Sequence, residues 1–186
     1  VQDGDKLGVI SFSGADGTSL QISGAQITGE VDGTPGQNDM PGRIVFKTTA
    51  DGSASPLERL RITKDGRLLI GDDTSRNFDG GNTPLIQVAD NTSGRWARMS
   101  STTYIASSIG GGIILAHSRN GTVGSHTILQ DDDKLGSIFF EGSDGSDFQR
   151  GAQIQAYVDG TPGSDDMPGR IEFSTTPDGS SSPTTN

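Results

Sequence analysis

The residues best equipped for chemistry are clustered carboxylates. Asp131-Asp132-Asp133 and the stretch from Glu141 to Asp147 gather oxygens of the kind that hold Ca²⁺. Their spacing is not that of a helix-loop-helix calcium loop. Glu141 and Asp147 also align with Ser13 and Ser19 in an internal repeat described below, so solvated turn carboxylates are the expectation. His117 and His126 flank Asn120-Gly121 and could face one another, or recur around a symmetry axis as nitrogen ligands for a transition metal. Neither neighbours another His or Cys, which favours surface or interface packing. Glu30, Glu58, Glu141 and Glu172 could supply the carboxylate pair of a glycosidase. Nothing fixes their separation, and Glu30 and Glu172 align with Tyr157 and Val45, the pattern of a free surface. No Ser-His-Asp arrangement has supporting context, and Gly110-Gly111-Gly112 matches no phosphate-binding fingerprint. No catalytic, cofactor-binding or metal-binding residue is therefore assigned, no cofactor is expected, and the chain is not expected to be an enzyme. Arg43 and Arg170, with Asp32 and Asp159, are kept in both copies of the repeat and predict a structural ion pair between loop and strand. Met40 and Met167 are expected to plug gaps where strands or chains meet.

The elements that must carry these residues are set by duplication. Asp5-Lys6-Leu7-Gly8 returns as Asp133-Lys134-Leu135-Gly136, and Gly24-Ala25-Gln26-Ile27 as Gly151-Ala152-Gln153-Ile154. Val31-Asp32-Gly33-Thr34-Pro35-Gly36 and Asp39-Met40-Pro41-Gly42-Arg43-Ile44 return from Val158 and from Asp166. Over 51 aligned pairs, 34 are identical, with an offset of 128 residues that becomes 127 near Ile22. The chain reads as about one and a half periods of a longer array, with Val1 a cut in mid-protein.

The two copies differ with a period of two. Ile10 and Phe12 match Ile138 and Phe140, while Val9 and Ser11 become Ser137 and Phe139. Ile27 and Val31 match Ile154 and Val158, and Ile44 and Phe46 match Ile171 and Phe173; Thr28, Glu30, Val45 and Lys47 all change. A fixed face alternating with a free one is the signature of β-strands. Further strands are predicted at Leu57–Thr63 and Arg67–Ile70 around Lys64-Asp65-Gly66, and at Leu85–Ala89, Arg95–Met99, Ile113–His117 and Thr122–Leu129. Asn120-Gly121 predicts a second tight hairpin. No segment carries a helical stripe. The predicted organisation is a first repeat module at 1–71, a linker and connecting β module at 72–112, and a second repeat module at 113–186.

Composition narrows the function. Gly and Pro supply 36 of 186 residues, and Leu, Ile, Val and Phe only 39, so a monomer would have thin cores and burial is expected to be completed by other chains. The net charge of −10 argues against nucleic acid and against an anionic membrane surface. Without Cys there are no disulfides or thiolate metal sites. No apolar run is long enough to span a bilayer, and no membrane insertion is expected. Asn91-Thr92-Ser93 matches a glycosylation acceptor, relevant only in a eukaryotic secretory route.

In their order along the chain, Leu7-Gly8-x-Ile10-x-Phe12, Gly24-Ala25-Gln26-Ile27 and Met40-Pro41-Gly42-Arg43-Ile44-x-Phe46-x-Thr48-Thr49 form a recurring pattern. With Ser55-Pro56-x-Glu58-Arg59-Leu60-Arg61-Ile62 and Asp65-Gly66-x-Leu68-x-Ile70-Gly71, it resembles the repeats of bacteriophage tail fibres, particularly long ones ending in an endosialidase-type intramolecular chaperone domain. The resemblance spans Asp5 to Gly71 and about Ile113 to Pro183. It implies an elongated, all-β parallel homotrimer of stacked β-sandwich-like or β-prism-like modules. Its setting would be the extracellular virion, with other tail proteins as partners and a host polysaccharide as the surface approached. On that basis the chain is expected to be a shaft that positions a distal receptor-binding tip. Ile10, Phe12, Ile27, Ile44 and Phe46, with Ile138, Phe140, Ile154, Ile171 and Phe173, are expected to face the module core or the threefold axis. The alternatives are a carbohydrate-binding module using Trp96, Tyr104 or Tyr157, a tailspike depolymerase, or a bacterial surface adhesin of similar build.

Overall fold

The computed structural model describes residues 1–78, 81–93, 96–106 and 108–185. The described chain is all-β and divides into two units, Val1–Asn77 with Asn82–Met99, and Phe78–Gly81 with Ser100–Asn186.

The first unit is one six-stranded sheet in sequential order, β1 (Lys6–Ser13), β2 (Ser23–Val31), β3 (Gly42–Thr48), β4 (Leu57–Ile62), β5 (Leu68–Ile70) and β6 (Ile86–Val88). β1 to β5 form an antiparallel meander, as short turn-rich connections favour, and only β6 joins in parallel. Between β2 and β3, Gly36 and Asp39 exchange both backbone hydrogen bonds, at 3.0 and 3.2 Å. Asn38 takes φ 58°, a left-handed value that Asn and Asp tolerate; Asp165 fills the same role at φ 56°. The Lys64-Asp65-Gly66 hairpin forms as predicted, closed by Thr63 N–H to Arg67 O at 3.0 Å. At the crossover into β6, Gly71 has φ +79°, and a Cβ there would collide with the Ala89 carbonyl.

The second unit is a four-stranded sheet in the order β10 (Thr184–Thr185), β9 (Gly169–Thr175), β8 (Phe148–Val158) and β7 (Lys134–Ser143). Aligned residues pair alike in the two sheets: Ile10 faces Ile27 as Ile138 faces Ile154, and Ile27 faces Phe46 as Ile154 faces Phe173.

Three predicted strands are absent. Ile113–His117 and Thr122–Leu129 form no strand, nor do Trp96–Met99; Arg95 lies outside the described residues. The Asn120-Gly121 turn is closed largely by side chains instead of a ladder. Asn120 Nδ2 donates to Thr127 Oγ1 at 2.9 Å and Thr127 N–H donates to Ser118 Oγ at 3.0 Å.

Among the described residues each unit holds one sheet, with no second sheet of its own packed against it. Among the described residues the buried apolar ones are few: Val31, Val45, Leu69, Leu129 and Val158.

Candidate functional site

Strand register collects the apolar residues onto one face of each sheet. In the first sheet Ile10, Ile27, Phe46, Leu60, Ile70 and Val88 stand opposite one another across all six strands. A second row runs Gly8, Gly29, Ile44, Ile62, Leu68 and Ile86. Because successive side chains alternate between faces, both rows lie on the same side. That side is open: Ile10 is 60% exposed, Phe12 55%, Ile44 46% and Ile62 42%. The second sheet repeats the arrangement, with Ile138 at 51%, Phe140 at 53%, Ile171 at 65% and Phe173 at 58%. Ile27, Phe46 and Ile154 are half-buried. Of the two settings expected for these residues, a module core or a threefold axis, the single chain does not supply the first for those left exposed. A contiguous apolar sheet face left in water marks an interaction surface.

Much of the in-chain burial lies on the opposite face, the one that differs between copies, while Val31 and Val158, kept in both copies, are fully buried at the ends of β2 and β8. Thr28 and Val45 are fully buried, Glu30 is 6% exposed, and Gln155 and Ser174 are 4% and 3% exposed. The cover is built from long side chains whose stems pack over the strands while their charges pair. Arg43 Nε donates to Glu30 Oε2 at 3.0 Å and its Nη1 to Asp32 Oδ1 at 3.1 Å, while Lys47 Nζ reaches Glu30 Oε1 at 3.0 Å. Glu30 is thus an enclosed ion-pair member, not the free-surface carboxylate that its replacement by Tyr157 suggests. Burial raises its pKa, but the bonds from Lys47 and Arg43 outweigh burial and leave it lowered. Asp32 is lowered in the same way, with Lys64 N–H at 2.7 Å and Arg43 overcoming burial.

In the second copy the carboxylate has moved strands. Val45 becomes Glu172, which accepts from Arg170 Nε at 2.7 Å, and Glu30 becomes Tyr157, whose ring lies 5.0 Å from the Arg170 guanidinium. Arg170 also reaches Asp132 at 2.8 Å and Asp159 at 3.4 Å. The arginine, its loop aspartate and an acidic partner are retained while the positions around them exchange as a set.

The remaining candidates for chemistry are committed elsewhere. Asp131 accepts from Gly160 N–H at 2.7 Å, Asp132 from Arg170, and Asp133 from Arg119 through both oxygens at 2.5 and 2.6 Å. Arg119 is the main cause of the Asp133 pKa falling to about 2. Asp144 closes its own turn by accepting from the backbones of Ser146 and Asp147. Among the described residues no group of three or more carboxylates or imidazoles is placed to hold a metal. His117 Nδ1 lies 2.9 Å from Lys134 O, and His126 is exposed.

Of the glutamates, Glu58 is gripped by Arg61 at 2.5 and 2.8 Å and Glu141 stands 3.6 Å from Arg150. Glu58 borders an open polar cleft of about 300 Å³, shared with Arg59, Gly71, Asp72, Asp73 and Asn91. Asp72 there is held by Arg76 at 2.7 Å. Arg98 covers the Trp96 ring at 3.9 Å, Tyr157 packs beneath Arg170, and Tyr104 is 95% exposed. Met40 and Met167 are exposed at 54% and 51%. No helix is long and apolar enough to cross a membrane among the described residues.

Sequential antiparallel meanders with one largely open apolar face define the class among the described residues: an all-β, single-layer sheet architecture. The chain is similar in structure to the carboxy-terminal domain of the bacteriophage T5 L-shaped tail fibre, with a TM-score of 0.76 and 17% identity, covering 100% of this chain and 76% of that one. It is equally similar to the form of that domain with its intra-molecular chaperone domain, again at a TM-score of 0.76 and 17% identity, of which it spans 52%. No family model matches the sequence, and no curated protein matches it.

Proposed function

We propose that the chain is a structural shaft segment of a bacteriophage tail fibre, acting as a homotrimer that holds a distal receptor-binding tip at a fixed reach from the tail. One observation carries this: each sheet leaves much of its apolar face in water, with Ile10, Phe12, Ile44, Ile138, Phe140, Ile171 and Phe173 exposed, while ion pairs already cover part of the opposite face. Uncovered Ile and Phe at these positions leave a single-layer sheet without a second layer, and sheets need one. Three copies turning these faces inward would supply it and would bury the sheet edges' apolar neighbours as well. The likeness of the fold to a tail fibre domain supports the same role, with the virion as location and other tail proteins as partners. The acidic exterior, net −10, would keep such fibres soluble and apart. The commitment of Glu30, Glu58 and Glu172 to arginine and lysine favours a mechanical part over a hydrolytic one.

Electron microscopy of virions labelled with antibody to this chain tests the assignment. Label along the fibre, between the tail and its distal end, is the expected result. Label confined to the distal tip would favour a host-binding module instead, and an unlabelled tail would overturn the role.

A further inference from the structure

The segment immediately before the second sheet carries its own apolar residues, and one of them, Leu115, already lies against that sheet while remaining 52% exposed. Leu115 lies over Gly136 so closely that a Cβ on that glycine would stand 2.7 Å from Leu115 Cβ and 2.9 Å from its Cδ1. Beside it an open apolar notch of about 130 Å³ remains, lined by Leu115 itself with Leu135, Ile138, Ile154, Ala156 and Ile171. At Gly8, the aligned residue of the first sheet, a Cβ would meet nothing within 4 Å. Both glycines follow a register shift in their strands, and at Gly136 the missing side chain leaves room for Leu115. Two residues on, His117 Nδ1 lies 2.9 Å from Lys134 O and anchors the segment beside β7.

With Leu115 and His117 fixed, the flanking Ile113 and Ile114 stand 83% and 90% exposed. Ile113–Ala116 make no strand pairing among the described residues. We propose that this segment is a strap shared between copies: Leu115 plugs its own sheet, and Ile114 enters the apolar face of the second sheet on a neighbouring copy. The proposal rests on the trimeric reading above. The occupant follows from complementarity already visible within the chain, since this apolar face accepts this same segment at Gly136. In a parallel threefold assembly, equivalent levels of neighbouring copies meet, and the strap then lies at the level of the neighbour's Ile138, Phe140, Ile171 and Phe173. All four are more than half exposed in the single chain, which leaves room for the knob.

The chain has no cysteine, so introduced ones report cleanly. Two differently tagged copies would be co-expressed, one carrying Ile114→Cys and the other Phe173→Cys, then oxidised. A 114–173 disulfide joining both tags, identified by mass spectrometry, is expected. Mixed assemblies that form without this bond would overturn the strap. As a second measurement, Ile114→Asp is expected to lose the three-chain species, whereas Val123→Asp, at a fully exposed loop position, should keep it. A three-chain wild type with an unchanged Ile114→Asp variant would overturn the strap and leave the trimer standing. A one-chain wild type would overturn both.

Discussion

Ile171→Asp separates a chain that is complete alone from one that is completed by its copies. Ile171 is 65% exposed in the second sheet. If the isolated chain were the functional state, an aspartate there would sit in water and cost only a few tenths of a kcal/mol in strand preference. If three copies meet on this face, the same change removes most of an isoleucine's burial. Full burial of such a side chain is worth about 1.5–3 kcal/mol, so the exposed two-thirds represents roughly 1–2 kcal/mol per copy, or about 3–6 kcal/mol per trimer. Three carboxylates brought into an apolar interface add several kcal/mol more unless they protonate or the assembly opens. The expected outcome is loss of the trimer, seen by sedimentation velocity, with a strand signal that survives only at lower temperature. An Ile171→Asp protein with the wild-type mass and a thermal midpoint within a degree or two of wild type would refute the assignment of this face.

Four further outcomes follow from the covered face and the turns. Thr28→Val should stabilise the protein by about 1 kcal/mol in denaturant titration, because Thr28 Oγ1 is buried without a hydrogen-bond partner between Val9 and Val45. Arg43→Met should destabilise by about 2–3 kcal/mol in the same assay; it strips Glu30 and Asp32 of one cation each, and Lys47 and the Lys64 N–H soften the loss. Gly71→Ala should cost more than about 1 kcal/mol, since it meets both a positive φ and the Ala89 carbonyl. On acidification, stability should fall as pH drops below the ordinary carboxylate range of about 4. Glu30, Asp32 and Asp133 all have lowered folded-state pKa values, so their contribution is complete above that range and disappears as pH falls through the folded values, which for Asp133 is about 2. Circular dichroism between pH 6 and 2 should show this, whereas stability rising through that window would contradict it.

Much of the fold was legible because duplication acts on faces. Ile10, Ile27, Ile44 and Phe46 recur while Val9, Thr28, Val45 and Lys47 change, and the register places the first set together on one side of the sheet. Identity shows that a face is constrained, not which molecule covers it. On β2 and β3 the changing face is the one enclosed within the chain, since its cover of paired long side chains can be exchanged as a set, whereas on β1 the changing Val9 stays 52% exposed. Glu30 with Lys47 gives way to Glu172 with Tyr157, and Arg43 persists as Arg170. That the arginine and its loop aspartate were kept pointed to their contact, found at 3.1 Å in the first copy. The failures lie at Ile113–His117 and Thr122–Leu129, where composition favours a strand but no strand pairs with them among the described residues. Strand propensity is realised only against a neighbour, and a single sequence does not say where that neighbour is. The seat of Leu115 was invisible for a related reason, because Gly136 and Gly8 are identical residues with different surroundings.

The most direct measurement is the absolute mass of the wild-type chain in solution by light scattering. One chain is 19.3 kDa. Three copies joined through their open faces would give three times that, about 58 kDa, independent of concentration over the working range. A stable species of one-chain mass that unfolds cooperatively would show that these apolar faces need no partner, and would contradict the account at its centre.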